Sequence, residues 1–173
     1  MIRIPVVPLF FILPFCFGCG QKLPSDLPPL FPTTLVIVQE GKPLADAVIT
    51  MTTSESKWSV TGMTNSQGEA KMFVNGTYEG APEGEFKVIV NKTETEKPNI
   101  PPPPSDADPN AMSHYNEKIA PLLAQAKTYN LVEPVNGTFE TTPLAVSVVR
   151  GTSRYSLDIG KAVRIEVKQR RLD

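Results

Sequence analysis

Hydrophobic and polar residues alternate along several short stretches of this chain, which is the pattern of half-buried β-strands. The clearest stretch, "TTLVIVQEGKPLADAVITMTT", holds two β-branched runs separated by Glu40–Pro43. Gly41 supplies the positive φ that a tight turn needs, and Pro43 presets the exit from it. The pattern therefore predicts a first pair of strands around this turn.

A second pair of strands is predicted in "KWSVTGMT" and "AKMFV", on either side of "NSQGEA". Asn65 and Gly68 are expected at left-handed positions of that turn, and Gly84 at the turn before the next strand. Further alternating runs are "GEFKVIVNK", "PLAVSVVR", "RYSLDIG" and "KAVRIEV". The positions expected to fill the space between two sheets are Val48, Val88, Val90, Leu144, Val146 and Val148, with Phe86 on the same face as Val88.

The alternation stops between Lys92 and Pro143, which defines a predicted insertion at residues 93–142. Its first half, "ETEKPNIPPPPSDADPNAM", has no period and indicates an exposed, partly polyproline segment. Further on, Ile119, Leu122, Leu123 and Ala126 share one face of a helix, which Pro121 either kinks or begins. A segment of this length inside a compact domain is either functional or disordered.

The N-terminal residues indicate export. Arg3 precedes an apolar run to Phe17 that is shorter than the roughly 20 residues of a membrane span. The following Phe17-Gly18-Cys19-Gly20 resembles the lipobox of bacterial lipoproteins, which implies a lipidated Cys19 after a signal peptide of residues 1–18. The alternative is an ordinary cleaved signal in which both cysteines are small apolar fillers. Residues 19–32, rich in proline, are predicted to be an extended tether.

Composition narrows the fold class and the partners. Both cysteines lie in the N-terminal segment, so the folded domain is expected to have no disulfide. The eighteen prolines favour an all-β or loop-rich domain, and the length is that of one domain. The net charge of −1 gives no support for nucleic-acid binding.

Three segments together carry a family resemblance: "VQEGKPLADAVITM", "TGMTNSQGEAKM" and "GAPEGEFKVIVNKTE". They resemble the carboxypeptidase-regulatory-like domains of exported lipoproteins of planctomycete-type bacteria, and "TTPLAVSVVRGTSRYSLDI" is similar to their closing hairpin. The resemblance implies an all-β, transthyretin-like, seven-stranded Greek-key β-sandwich over residues 33–160, usually non-catalytic. The chain departs from the family in the insertion and in residues 161–173, which are predicted to be an extra strand and a basic tail.

Residues that could carry chemistry are few. The single histidine, His114, adjoins the predicted helix without a nucleophile elbow, so we expect an exposed residue and not a catalytic base. Asp106 and Asp108 lack the glycine and glutamate of a calcium loop, and zinc has no ligand set. Arg150-Gly151-Thr152-Ser153 is internal, unlike the terminal motif of the transthyretin-like hydroxyisourate hydrolases. No catalytic residue, metal or cofactor is expected.

Three surface features have a functional and a plainer interpretation. The tail, with Lys161, Arg164, Lys168, Arg170 and Arg171, would suit anionic lipid or polysaccharide, or would simply be a charged edge. Trp58 and Tyr78 would stack on sugars or belong to the core. Pro101–Pro104 would dock in an aromatic groove or act as a spacer.

The expected function is a non-catalytic, structural or protein-interaction role in a cell envelope. The lipid on Cys19 would hold the chain on a bacterial membrane, with the outer membrane favoured because Gly20 carries no retention charge. An envelope protein or a polysaccharide would be the partner, and nucleic acid would not. The alternatives are a glycan-binding module and an unrecognised envelope hydrolase with a carboxylate pair.

Overall fold

The computed structural model describes residues 24–54, 58–105 and 109–167, which form fifteen strands, one α-helix and one short 3₁₀-helix. The helices are α1 (Pro109–Ala124) and the 3₁₀-helix Pro134–Asn136. The strands are β1 (Leu30–Phe31), β2 (Thr34–Gln39), β3 (Lys42–Pro43), β4 (Val48–Thr52), β5 (Val60–Met63), β6 (Glu69–Lys71), β7 (Phe73–Val74), β8 (Tyr78–Glu79), β9 (Ala81–Pro82), β10 (Gly84–Asn91), β11 (Thr93–Thr95), β12 (Thr128–Asn130), β13 (Ala145–Val148), β14 (Arg154–Asp158) and β15 (Ile165–Glu166).

Two main sheets enclose the core. One has the strand order β13-β10-β4-β5-β7-β8, and all of its pairs are antiparallel. The other is built on β2, which pairs in parallel with β14 and antiparallel with β3 and β6. The described residues are thus mostly β-sheet with a single α-helix, which confirms the all-β class.

The core follows from the period-2 alternation of the strands. Leu35 and Ile37 of β2 are buried, and the intervening residues are half-buried. The expected inward face of β10 is confirmed, since Phe86, Val88 and Val90 are all buried. Val146 and Val148 of β13 join them, and Leu144 is half-buried against the same cluster.

Val48 was expected in the core, and this expectation is wrong. Its side chain is 49% exposed, whereas Ile49 and Met51 of the same strand are fully buried. Alternation along β4 permits only one of the two sets to face inward. Ile49 and Met51 together bury more apolar volume than Val48 and its neighbouring threonines would, so the strand takes this register.

The two main sheets share one interrupted strand. Residues 69–71 pair with β2 as β6, and residues 73–74 pair with β5 as β7, so the chain changes sheets at Met72. Met72 is fully buried at this corner. Close approach here requires Gly62, because a Cβ at that position would lie 2.5 Å from the carbonyl oxygen of Lys71.

The predicted turn glycines have positive φ angles: 73° at Gly41, 73° at Gly68 and 148° at Gly84. Pro43 lies in β3, directly opposite Val38. Asn65 is not left-handed as expected. Its side-chain oxygen instead accepts hydrogen bonds from the backbone N–H groups of Gln67 and Glu69, at 2.9 and 3.0 Å, which shapes the turn from outside.

The segment predicted as a tether is partly folded onto the sandwich. Leu30 and Phe31 form β1, which pairs antiparallel with β9. Leu27, Leu30 and Phe31 are half-buried against the core. Residues 27–31 therefore belong to the domain and not to the tether. The predicted signal peptide and Cys19 lie outside the described residues.

The predicted helix is present as α1, and Pro121 lies inside it. Pro121 therefore does not begin a shorter helix. The segments that precede and follow the helix also form strands, because β11 and β12 pair with each other. The insertion is thus a protrusion with a folded base.

We predict that Gly68→Ala destabilises the domain more than Gly41→Ala does. Both positions have the same φ, so alanine pays about 1–2 kcal/mol of left-handed strain at each. At Gly68 the added Cβ would also lie 2.6 Å from the carbonyl oxygen of Ile37, whereas nothing lies within 4 Å at Gly41. Overpacking should add about 1–3 kcal/mol. Urea denaturation of the two variants checks this, and equal losses in unfolding free energy would contradict it.

Candidate functional site

The insertion and the C-terminal segment build one additional sheet, here named the supporting sheet, with the order β11-β12-β15. β11 continues from β10 after Lys92, β12 follows the helix, and β15 lies after the last strand of the sandwich. All its pairs are antiparallel. The predicted insertion and the C-terminal extra segment are therefore hydrogen-bonded to each other.

One face of the supporting sheet carries a charged network centred on Arg164. Its guanidinium lies 2.9 Å from Glu94 Oε2 and 3.5 Å from Glu96 Oε1. It also lies over the ring of Tyr129, 3.9 Å from the centroid. These side chains meet because Glu94 is directly opposite Tyr129 in the register, so both point to the same face.

Hydrogen bonding at this face raises the pKa values of Tyr129 and Lys127. The hydroxyl of Tyr129 donates to Glu96 Oε1 at 2.8 Å, and this bond to a carboxylate raises the pKa of Tyr129 above its ordinary value. Lys127 donates to Glu166 at 3.2 Å, and this bond and the charge of Glu166 raise the pKa of Lys127. Exposed ion pairs contribute little stability individually, so these contacts add little to the stability of the sheet, which rests on its backbone pairing.

A buried amide connects the supporting sheet to the sandwich. Gln39 is the last residue of β2, faces inward and is 9% exposed. Its Nε2 donates to the carbonyl oxygens of Leu131, at 3.0 Å, and Lys161, at 3.1 Å. The side chain of Gln39 therefore hydrogen-bonds both to the residue that follows β12 and to the segment that leads to β15.

The second half of the insertion is part of the folded domain. Val132 is buried in the core. Asn136 Nδ2 donates to the carbonyl oxygen of Ile159 at 3.1 Å, and Thr142 Oγ1 donates to that of Val88 at 2.7 Å. Both polar side chains are buried. The protruding part of the predicted insertion is thus limited to residues between β11 and β12.

The helix of the protrusion displays an apolar stripe, defined here as Ala111, Met112, Tyr115, Ile119, Leu122 and Leu123. Ala126, predicted on the same helix face, lies beyond the end of α1 at Ala124. None of the side chains in the stripe is buried. Met112 is 37% exposed, Leu122 36% and Leu123 49%. Tyr115 is held by its hydroxyl, which donates to the carbonyl oxygen of Pro101 at 2.9 Å. The backbone of the proline run therefore accepts a hydrogen bond from one side of the helix.

A cleft of about 220 Å³, the junction cleft, lies where β10 passes into the supporting sheet. Its apolar lining comes from Val90, Val132 and Pro134. Its polar lining comes from Asn91, Lys92, Asn130, Glu133 and Thr138. The cleft thus brings together β10, β12 and the 3₁₀-helix, which are far apart in the sequence.

Other predicted candidates are not brought together. His114 is exposed on α1, 3.6 Å from Glu117. Trp58 and Tyr78 are half-buried against the core and do not form an exposed aromatic row. Arg150–Ser153 lie in the exposed turn between β13 and β14. Asp106, Asp108, Lys168, Arg170 and Arg171 fall outside the described residues.

Sequence reasoning missed Gln39 and the network around Arg164. The alternation along β2 contained a signal for Gln39, because it occupies the same parity as Leu35 and Ile37. The network had no signal within the sequence, since Glu94 and Arg164 are seventy residues apart. Only the strand register shows that they meet.

We predict that Gln39→Ala loosens the supporting sheet. The variant leaves two carbonyl groups without their donor, which should cost about 1–3 kcal/mol of unfolding free energy. Amide hydrogen exchange should accelerate in β12 and β15 and stay unchanged in β10. Gln67→Ala, an exposed position, is the matched control. Unchanged exchange in β12 would show that Gln39 does not hold this sheet.

We predict that Glu96→Ala lowers the pKa of Tyr129. In the folded protein this pKa is raised, so the hydroxyl–carboxylate bond is fully formed at neutral pH and is lost as the pH rises through the folded-state pKa. Without Glu96, tyrosinate should form at lower pH. The ¹³Cζ chemical shift of Tyr129 against pH measures this, with Glu140→Ala as the control. An unchanged titration would contradict the contact.

Comparisons with protein-family models, with curated proteins and with solved structures find no match to this chain. In the described ranges, no helix has the length and apolar character needed to cross a membrane. The same residues contain no group of three or more histidine, cysteine, aspartate or glutamate side chains placed to hold a metal ion. The geometry of the insertion and its supporting sheet is accordingly the basis for a functional proposal.

Proposed function

We propose that this protein is a non-catalytic bacterial envelope lipoprotein that binds another envelope protein through the apolar stripe of α1. The observation that carries the proposal is a helix whose apolar stripe contains no buried side chain, held on a base that is hydrogen-bonded to the sandwich. Isolated helices of this length are marginal in water, and tertiary packing normally stabilises them. A partner surface would supply that packing.

A helix is the partner element that best fits the stripe. Met112, Tyr115, Ile119 and Leu122 are spaced by three, four and three residues, which is the spacing of the seam between two packed helices. The helix-in-groove mode of recognition uses the same anchors. A lipid surface fits less well, because such helices have a polar face rich in Lys and Arg, whereas here it carries His114, Glu117 and Lys118.

The membrane anchor in this proposal is a lipid on Cys19, and the fold is a transthyretin-like Greek-key sandwich. The lipobox-like "FGCG" supports the anchor. The mostly antiparallel two-sheet core, with a strand that crosses from one sheet to the other, supports the sandwich. The exposed position of His114 supports a non-catalytic role.

We predict that the full-length chain, cross-linked in intact cells of a lipoprotein-exporting bacterium, captures a defined membrane protein. Capture should be lost in Cys19→Ser, which cannot be lipidated. It should fall about tenfold or more in the double variant Leu122→Gln with Leu123→Gln, because central apolar anchors dominate interfaces. Glu117→Gln with Ala120→Gln, away from the stripe, should capture normally.

The folded state of each variant is checked by its urea denaturation midpoint, which should hardly move because these side chains are exposed. Capture that the stripe variant leaves intact would reject α1 as the binding surface. Capture of only a second copy of this chain would replace the envelope partner by self-association. Hydrolytic activity that depends on a defined residue would reject the non-catalytic role.

A further inference from the structure

β14 is an edge strand of its sheet, and among the described residues it pairs only with β2. The N–H of Thr34 donates to the carbonyl oxygen of Ser153, and the N–H of Ile159 donates to that of Val38. The odd-numbered residues of β14 therefore direct their backbone groups toward β2. The even-numbered residues direct their N–H and C=O groups to the open side of the strand, where they can pair with another strand.

The open side of β14 carries a symmetric arrangement of charge. Its even-numbered residues are Arg154, Ser156 and Asp158, and all three side chains are exposed. The positive and the negative side chain lie two residues from Ser156, one on either side of it. Like charges at an edge would repel a second copy, but opposite charges placed in this way complement the same strand running in the opposite direction.

We infer that two copies of this chain associate by antiparallel pairing of their β14 strands, about a two-fold axis at Ser156. This register places Arg154 opposite Asp158 of the second copy, and it does so twice because the contact is symmetric. Every even-numbered residue meets an even-numbered residue, so the open backbone groups face one another. Tyr155 lies opposite Leu157 of the second copy, and both side chains are half-buried against the core of their own sandwich.

The edge strand of the other main sheet, β13, lacks this charge symmetry. The N–H of Val88 donates to the carbonyl oxygen of Leu144, so Ala145 and Ser147 are the residues of β13 whose backbone groups face outward. Neither residue is charged, so only β14 combines an open backbone with self-complementary side chains. This edge is separate from α1, and the pairing does not depend on the proposed envelope partner.

The dimer is expected to be weak. Each copy contributes the five residues of β14, whereas stable interfaces contain roughly 20–30 residues a side. We expect a Kd of about 100 µM. A covalent trap detects such an association, because it accumulates the paired state.

The test is disulfide trapping of the full chain, with detergent micelles in excess over protein and diamide as the oxidant. Cys16→Ser and Cys19→Ser remove both natural thiols, so an introduced cysteine is the only one. Opposed Cα atoms of a hydrogen-bonded antiparallel pair lie about 5.5 Å apart, which a disulfide can span. Ser156→Cys should therefore form linked dimers at least about tenfold faster than Ser147→Cys, the matched edge serine of β13. Equal rates would overturn the inference.

Charge reversal tests the register. In the Ser156→Cys chain, Arg154→Asp or Asp158→Arg alone sets like charges opposite each other, and each should slow trapping about tenfold. Arg154 also pairs with Glu69 of its own chain at 2.6 Å, so a single variant loses an internal contact as well.

Mixing the two charge variants separates the effects. An equimolar mixture restores opposite charges at both pairs of the mixed dimer but does not restore the contact with Glu69. Mixed dimers, identified by mass, should form at the rate of the Ser156→Cys chain. A mixture that remains as slow as the single variants would reject this pairing of β14.

Discussion

The structure depends on β2, because this strand is hydrogen-bonded along both edges and also points its alternate side chains into the core. β14 pairs with one edge, and β3 and β6 share the other. Leu35 and Ile37 are fully buried between the sheets. The described residues contain no cysteine, so cohesion comes from apolar packing and from strand pairing of this kind. A change in β2 would be transmitted to both sheets.

The inward alternation of β2 ends on a polar residue, and this gives the insertion a fixed base. Gln39 occupies a position where the core would otherwise take another aliphatic side chain, and its amide holds two carbonyl groups from distant segments. A buried amide tolerates only partners at suitable angles, so it specifies geometry as well as contributing stability. The protrusion can therefore display an exposed helix without loosening the domain.

Much of the sandwich could be predicted from the sequence, because alternation reports burial directly. The longer strands β2, β4, β5, β10, β13 and β14, the inward face of β10 and the turn glycines follow from local patterns, whereas the short strands β1, β8, β9, β11 and β12 were not predicted. The prediction for Val48 was wrong because a continuous run of apolar residues does not show which alternate set of side chains faces the core. Packing against the neighbouring strands decides this. The prediction of a left-handed backbone at Asn65 was wrong because asparagine can stabilise a turn either through its backbone conformation or through side-chain hydrogen bonds.

The candidate sites were less predictable than the fold. The apolar stripe of α1 could be identified from spacing alone, but its exposure could not. The junction cleft and the Arg164 network arise from residues that strand register brings together over long separations. Sequence patterns describe what each segment prefers, and they contain no information on which segments become neighbours.

The packing of Leu27 against the sandwich has a consequence for where the domain can act. With a lipid on Cys19, only residues 20–23 could span the gap to the turn that begins at Pro24 and is closed by the Leu27 N–H. The five steps of the chain from Cys19 to Pro24, fully extended, would reach about 17 Å. A domain of this size has a radius of gyration of about 14 Å, so the extended linker would be no longer than the diameter of the domain. The domain would then stay close to the bilayer surface.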